Sequence, residues 1–185
     1  MRYLLSITLF IFIFSCKENK PQVSDNYFEK NIYQKNQDEK IEMNKQFVKN
    51  QVIMIDSLLK NNADFKTKKF SRSNTGLYYE IYGTAKGIQP KVGDLVSIKY
   101  NSYLLPSKEL AYNTIGDTLC TFILQKDRFE KGVQEGIMLM KEGQKADFIL
   151  PSHLAHGLSG DNDLVPPGAI MWFKVELVKV ETIEK

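Results

Sequence analysis

The sequence predicts an α+β fold, in which an antiparallel sheet wraps around one short helix and an N-terminal amphipathic helix precedes the sheet. Two segments near the C-terminus carry an apolar residue at every second position, which is the period of a strand with one buried face. These residues are Ala146, Phe148 and Leu150 in the first segment, and Met171, Phe173, Val175 and Leu177 in the second. A single apolar stripe of helical period lies upstream, between other strand-like segments.

The chain starts with an apolar run from Tyr3 to Phe14, which is followed by Ser15 and Cys16. A bilayer-spanning helix needs about 20 apolar residues, so this run is too short for a permanent span and is typical of a secretion signal over residues 1–15. A short apolar core that ends in a small residue and a cysteine resembles a bacterial lipoprotein signal. Cys16 is then the lipidated first residue of the mature protein, and two or more acyl chains would hold it stably on a membrane. An ordinary signal with an incidental cysteine is the alternative.

Charge and cysteine content exclude some classes of protein. The chain has 25 Lys and Arg against 22 Asp and Glu, and removal of Arg2 with the signal brings the balance closer to neutral. Nucleic-acid binding is not expected, because it requires a clustered basic face. Cys120 is the only thiol besides Cys16, so a lipidated chain forms no intrachain disulfide.

Two segments separate the signal from the main domain. Residues 16–40 are polar and offer too little apolar surface to offset the entropy of ordering, so they are predicted to be a tether. Residues 41–62 are predicted to form a helix, because their apolar residues recur at helical spacing and Asn61 and Asn62 are stop signals. The apolar stripe needs a partner, which is either the main domain or the same helix in a second copy, giving a weak homodimer.

The main domain is predicted to span residues 76–181. Strands are expected from Leu77 to Tyr82, around Val96 to Tyr100 and from Thr118 to Leu124, with a polar excursion over 108–117. The helix is expected over 126–140. Its Gly132 and Gly136 each cost about 1 kcal/mol relative to Ala, which suggests that another backbone approaches closely.

Four motifs, in order, resemble the FKBP-type peptidyl-prolyl isomerases. They are KVGDLVSIKYNSYLL, KGVQEGIMLMKEG, GQKADFILPSHLAHG and VPPGAIMWFKVELVKV, and the resemblance covers about residues 76–181. It implies rotation about X-Pro bonds in proline-containing polypeptide clients, without a cofactor or metal. The lipidated N-terminus, the helix and the single domain are together similar to the gliding-motility-associated FKBP-type lipoproteins.

The resemblance also implies which residues surround the bound proline. The pocket residues are Tyr100, Tyr112, Phe129, Glu130, Val133, His156, Val165 and Phe173, and the further substrate contacts are Ala111, Cys120 and Phe122. Glu130 is expected to act through its main-chain N–H, which binds the ligand carbonyl in relatives. Without the resemblance, Tyr100 and Phe173 would be interpreted as core aromatics on strand faces.

Several of these residues depart from the family pattern. Val133 replaces a tryptophan at the pocket floor, and Cys120 and Ala111 replace aromatic walls. Tyr112 replaces an acidic residue, and its hydroxyl could supply the lost polar contact, while His156 replaces a tyrosine and keeps a donor. An apolar cup remains, so isomerase activity slower than in relatives with the full aromatic cage is expected.

Metal binding is not expected. His153 and His156 are three residues apart, but no acidic or cysteine cluster accompanies them in sequence. Asp161 and Asp163 lack the further oxygen donors of a calcium loop.

Three functional hypotheses follow. The first is a lipid-anchored isomerase in the bacterial cell envelope, facing the periplasm or the cell surface and assisting exported chains. The second is a binding module of the same fold that has lost catalysis and serves an envelope or motility assembly. The third is a chaperone that holds clients on the N-terminal helix.

Overall fold

A computed structural model describes residues 25–183, with side chains from residue 34 onward. The predicted signal over 1–15 and the lipidation site Cys16 lie outside the described residues. The elements in chain order are α1 (Asp25–Asn61), β1 (Ser71–Arg72), β2 (Tyr78–Tyr82), β3 (Leu95–Leu105), β4 (Leu110–Asn113), β5 (Cys120–Ile123), α2 (Lys131–Leu139), β6 (Lys145–Leu150), a 3-10 turn (Ser152–Leu154) and β7 (Ile170–Glu181).

Helix α1 already includes Asp25, the first described residue, well before the start predicted near Ile41. The prediction of an unstructured tether is therefore wrong for residues 25–40. Seven of the sixteen residues 25–40 are Lys, Glu or Gln, and these unbranched side chains lose little rotamer freedom in a helix. The described residues divide into two compact units, one that ends at Ile41 and one that starts at Glu42. Within the first unit, the amide of Gln34 donates to the carboxylate of Asp38 one turn later.

The second unit contains one sheet whose strands are all paired antiparallel. The strand order is β1-β2-β6-β7-β3-β4, and β5 pairs with β3 as well. Strand β3 can hold two partners on one edge because β5 pairs with its first half and β4 with its second half. This long central strand carries Tyr100 at its middle.

The inner face of the sheet packs against α2. The alternating residues Ala146, Phe148 and Leu150 of β6 are fully buried here, as predicted, together with their counterparts on β7. Val133 and Ile137 of α2 complete this core with no exposed surface. The glycines of α2 approach side chains rather than the predicted backbone. A Cβ on Gly136 would lie 2.5 Å from the ring of Phe148, and one on Gly132 would lie 2.6 Å from Leu150.

The outer face of the sheet is covered too, which the simple alternation did not indicate. Ile149 and Trp172 alternate with the inner residues of β6 and β7, and they pack with Phe65 and with Ile55 of α1. Gln51 fixes the same helix by donating to the carbonyl of Gly168 at 2.6 Å. Docking of the helix segment 42–61 on the domain is therefore confirmed, and this segment and α2 lie on opposite faces of one sheet.

Two predicted boundaries differ from the structure. The polar excursion over 108–117 contains β4, because the hydroxyl of Ser102 bonds both the carbonyl and the N–H of Tyr112 and holds the segment against β3. The second helix starts at Lys131 rather than at residue 126. The Asp127 carboxylate accepts the N–H of Ile123 and so closes a turn ahead of the helix.

None of the helices within the described residues is long and apolar enough to cross a bilayer.

Candidate functional site

Three aromatic side chains meet at the inner face of the sheet, near the start of α2. Tyr100 comes from β3, Phe173 from β7 and Phe129 from the segment just before α2. The Tyr100 ring lies 5.9 Å from that of Phe173, and it meets the Phe129 ring edge-on at 5.7 Å. Such tilted and edge-on pairs are favoured by the ring quadrupoles. The predicted aromatic walls are therefore next to each other.

Phe129 also stacks on Phe122 of β5, with ring centroids 4.6 Å apart and planes nearly parallel. The resemblance implied that Phe129 stands where relatives have an aliphatic residue beside the bound proline, and that Cys120 replaces an aromatic wall. In this chain Cys120 is only a small, half-buried side chain, and Phe129 contributes the aromatic surface nearby. Burial, together with the negative charge of Glu130, raises the pKa of the Cys120 thiol. Cys120 is therefore a neutral, weakly polar neighbour of the aromatic group.

Val133, Ala111 and Val165 lie beneath or beside these rings within the same apolar core. Val133 is fully buried, and its function as the floor of the pocket stays a prediction. Val165 is 2 % exposed and Ala111 is 8 % exposed, so each presents little surface to solvent. The structure thus places nine of the predicted site residues in this core or against it, and the remaining two, Glu130 and His156, pair with each other.

The carboxylate of Glu130 is the main polar group on the wall of this site. One of its oxygens lies 3.2 Å from Nε2 of His156, while the other is buried and has no hydrogen-bond partner among the described residues. Burial raises the pKa of Glu130, against the opposing effects of its own main-chain N–H and of His156. The resemblance assigned only the main-chain N–H of this residue, so sequence reasoning missed the side chain.

The hydroxyl group of Tyr100 remains protonated over the physiological range. Burial raises its pKa to about 12, and the charges of Cys120, Glu130 and Tyr112 when ionised act in the same direction. Tyr100 therefore presents a neutral O–H donor to the site.

Tyr112 packs against the same core, and its hydroxyl has a partner that the sequence did not predict. Its hydroxyl donates to a carboxylate oxygen of Asp161, in the loop that ends with Pro166 and Pro167. The other oxygen of Asp161 accepts the N–H groups of Asp163 and Val165 at 2.9 and 2.8 Å. Although burial opposes ionisation, these bonds lower the pKa of Asp161 to about 2. No sequence pattern indicated this role of Asp161, because Tyr112 is 49 residues away along the chain.

The two histidines have separate partners. His153 Nε2 lies 2.9 Å from the carbonyl oxygen of Thr75, whereas His156 pairs with Glu130. Across the described residues, no three His, Cys, Asp or Glu side chains come close enough together to hold a metal ion.

A cavity of about 530 Å³ opens beside Glu130, at the start of α2. Its wall includes Phe129 and His156 from the site already described, together with Ala155. The exposed side chains of Asp127, Arg128 and Lys131 form its rim. The site therefore consists of an aromatic corner with a concave extension that ends at a buried carboxylate.

An antiparallel sheet around one short helix, with aromatic residues gathered at the start of that helix, defines an FKBP-like α+β domain. A family profile described as FKBP-type peptidyl-prolyl cis-trans isomerase matches residues 86–178, about half of the chain. The chain belongs to this family.

Two curated relatives illustrate the similarity. FK506-binding protein 1A of Emericella nidulans is 36 % identical over 93 residues, which are 49 % of this chain and 84 % of that protein. The probable FKBP-type isomerase FkpA of Neisseria meningitidis is 34 % identical over 125 residues, which are 68 % of this chain and 44 % of the relative. The chain thus matches less than half the length of this FkpA relative.

Solved structures share the fold. The crystal structure of FkpA from Escherichia coli superposes with a TM-score of 0.59 at 24 % identity, and the match covers 89 % of this chain and 76 % of that one. A peptidyl-prolyl isomerase from Pseudomonas syringae superposes with a TM-score of 0.60 at 20 % identity, over 75 % of this chain and 96 % of that one.

Proposed function

We propose that this chain is a peptidyl-prolyl cis–trans isomerase that acts on exported polypeptides in the bacterial cell envelope. Its substrate is an X-Pro bond in an unfolded or partly folded client. The reaction needs no nucleophile, because no covalent bond is made or broken. The barrier of roughly 18 to 20 kcal/mol comes from amide resonance, and spontaneous exchange takes tens to hundreds of seconds.

The contact of Tyr100 with Phe129 and Phe173 is the observation that carries this proposal. An apolar corner lowers the barrier by binding the proline ring while excluding water from the amide, since the twisted amide has less charge separation than the planar one. The neutral hydroxyl of Tyr100 offers a donor to a carbonyl oxygen of the client. These are the requirements for rotation, and they need no metal or cofactor.

Tyr112 has a positioning function in this proposal. Its hydroxyl donates to Asp161 and is therefore not free to donate to a client in this arrangement. Through Asp161 it holds Val165 at the edge of the aromatic corner. The sequence predicted that the Tyr112 hydroxyl would supply the polar contact of the carboxylate that relatives have at this position. In this proposal the hydroxyl instead binds the Asp161 carboxylate in the loop.

The direct test is an exchange NMR measurement of cis–trans rates in a short proline peptide, with the full chain carrying Cys16→Ser so that it stays unlipidated. We expect faster exchange with this protein, and a loss of most of the acceleration with Tyr100→Ala. Tyr103→Ala is the control, because Tyr103 packs with Trp172 on the outer face of the sheet. Exchange at the uncatalysed rate for every peptide would contradict the proposal.

A non-catalytic binding module is the second candidate, and the small side chains at Val133, Ala111 and Cys120 favour it. They replace the larger aromatic residues of the family and reduce the apolar surface against a proline ring. In that case the chain still binds proline peptides but leaves their exchange rate unchanged, and Val133→Trp restores turnover. Such a module would suit an envelope or gliding-motility assembly.

We further propose that a lipid on Cys16 anchors the protein to a membrane, facing the periplasm or the cell surface. The lipoprotein-like pattern around Ser15 and Cys16 supports this. Intact-mass analysis of the membrane fraction should find acyl chains on the mature N-terminus, and Cys16→Ser should release the protein from membranes. A protein that fractionates identically with and without Cys16 would contradict the anchor.

Exposed apolar residues on helix α1 are a candidate surface for binding partners. Ile41, Met43 and Ile53 are at least half exposed on the described part of α1. They could support a weak homodimer or hold an unfolded client, and sedimentation together with aggregation-suppression assays of an Ile53→Lys variant separates the two. If Ile53→Lys changes only the mass measured by sedimentation, these residues form the dimer. If the variant only loses the ability to suppress client aggregation, they form the chaperone surface.

A further inference from the structure

The side chain of Glu130 has no part in the isomerase mechanism proposed above. Its carboxylate is nevertheless built into the site, with only 14 % of the side chain exposed. One oxygen pairs with His156, and the second is buried without any donor among the described residues. A buried acceptor of this kind loses its hydration without gaining a protein partner. The free-energy cost is larger for a charged group than for a neutral one.

A donor brought by the client would remove this penalty. The terminal torsion of a glutamate is broad and roughly two-fold, so the carboxylate can turn toward a ligand without a change of rotamer. A cationic donor suits it best, because hydrogen bonds between ionised partners are about twice as strong as neutral ones.

The space for such a donor is beside the aromatic corner. The cavity of about 530 Å³ is bounded by Glu130, His156, Phe129 and Ala155, so a side chain in it would leave a neighbouring proline near Tyr100 and Phe129. Its apolar wall fits the aliphatic stem of a lysine or arginine, and its carboxylate fits the charged head.

The charges around the cavity favour a cation. Asp127, Arg128 and Lys131 stand on the exposed rim, where solvent and salt screen them, while Glu130 is buried and less screened. Asp161 adds a second negative charge on the loop side. His156 is the one basic side chain that the structure places in direct contact with the Glu130 carboxylate.

We propose that Glu130 and His156 form a specificity subsite which takes the cationic side chain of a lysine or arginine next to the client's proline. This inference rests on the proposed isomerase function. It makes basic X-Pro segments the preferred clients, and it disfavours segments with an acidic residue in the same position.

The test compares proline peptides that differ only in the residue next to the proline, on either side of it: lysine, acetyl-lysine, leucine and glutamate. Catalysed exchange is measured by NMR with the full chain carrying Cys16→Ser. We expect kcat/KM for lysine to exceed that for acetyl-lysine and leucine by roughly tenfold, the factor that corresponds to one charge-assisted hydrogen bond. The glutamate peptide should be the slowest.

Glu130→Gln should bring the ratio of lysine to acetyl-lysine close to one. The ratio is taken within each variant, so any general loss of activity cancels. Asp163→Asn is the matched control, because it removes an exposed acidic group from the loop that carries Asp161 and should leave the ratio unchanged. If Glu130→Gln fails to fold, equal rates for the lysine and acetyl-lysine peptides on the parent protein still overturn the subsite, and so does a preference that is lost in Asp163→Asn.

The outcomes separate this inference from the function on which it rests. Acceleration of the leucine peptide without any preference for lysine overturns the subsite and leaves the isomerase intact. A preference for lysine that persists in Glu130→Gln but disappears in Asp163→Asn also overturns the subsite. It would show that exposed negative charges on the protein surface attract the lysine peptide. No acceleration of any peptide overturns the isomerase itself.

Discussion

Tyr112 donates its hydroxyl hydrogen to Asp161 and thereby ties β4 to the loop that leads into Pro166 and Pro167. Asp161 in turn accepts the N–H groups of Asp163 and Val165. A strand that the sequence did not predict thus fixes the loop beside the aromatic corner. The position of Val165 depends on a carboxylate that remains ionised down to about pH 2.

Replacing Tyr112 by Phe should raise the pKa of Asp161 toward its ordinary value of 3.8. The folded pKa lies below the unfolded one, so the stability from this group is present above pH 4 and is lost as the pH falls toward about 2. The two proteins should therefore differ most in thermal midpoint near pH 7 and least at pH 2. Carbon-detected NMR titration of the carboxylate gives the pKa directly. Tyr103→Phe, on the other face of the sheet, should leave it unchanged, and an unchanged pKa in Tyr112→Phe would contradict the bond.

Gly160 and Gly157 allow a matched test of the same loop. Both have a φ near +70°, but a Cβ on Gly160 would lie 2.2 Å from the carbonyl oxygen of Val165, whereas Gly157 has open space around it. Gly157→Ala should destabilise the protein by about 1 kcal/mol through backbone strain alone. Gly160→Ala should cost about 1 to 3 kcal/mol more, because the loop must move. Urea unfolding measures both, and equal losses would show that the close approach is absent.

The sequence predicts the inner half of this fold well because one physical rule governs it. Alternation placed Ala146, Phe148 and Phe173 on a common buried face, and the structure has them there. The outer half follows no such local rule, since Ile149 and Trp172 become buried only when α1 docks on them. When only one of the two alternating sets of residues in a strand is apolar, the sequence predicts one buried face, even if both faces are buried in the fold.

The candidate site divides in a similar way. The resemblance identifies Tyr100, Phe129 and Phe173, and their rings are in contact. It gives no information on the Glu130 side chain, because the expected function of that position uses only the backbone. Its partner His156 is 26 residues further along the chain. Pairs this distant are determined by the fold and leave no mark in local sequence.

Phe129→Leu tests the aromatic corner while it keeps an apolar side chain. The change removes the stacking on Phe122 and the edge contact with Tyr100, and aromatic pairs of this kind contribute about 0.5 to 1.5 kcal/mol. If the ring also lines the transition state, kcat/KM should fall by roughly three- to tenfold. Phe65→Leu removes comparable contacts with Trp172 on the outer face, so it should lower stability but leave kcat/KM of the folded fraction unchanged. Equal effects of the two changes on kcat/KM would remove Phe129 from the site.

Asp147 provides a separate test of the outer layer. It is fully buried, and it accepts hydrogen bonds from Nζ of Lys68 and from Nε1 of Trp172. Lys68→Met keeps the aliphatic stem but leaves the carboxylate without its cation, which should destabilise the protein by about 3 kcal/mol. Lys145→Met breaks only the exposed pair with Glu176 and should change stability by less than about 1 kcal/mol. Chemical unfolding at pH 7 distinguishes them, and similar values would mean that Asp147 finds another donor.

Glu130→Gln should stabilise the protein at high pH and have little effect at low pH. Burial raises the folded pKa of Glu130 above its ordinary value of 4.5, so the folded state holds this proton more tightly than the unfolded state does. The free energy of unfolding therefore falls as the pH rises from the ordinary pKa of Glu130 to its folded pKa. Above the folded pKa the whole loss of stability is present. Near pH 8 the variant should be more stable by about 1 kcal/mol, the scale of one unsatisfied buried group, and the two proteins should converge near pH 4. Glu109→Gln, at an exposed position, should show no such trend, and a wild type more stable than Glu130→Gln at pH 8 would mean that the buried oxygen already has a partner.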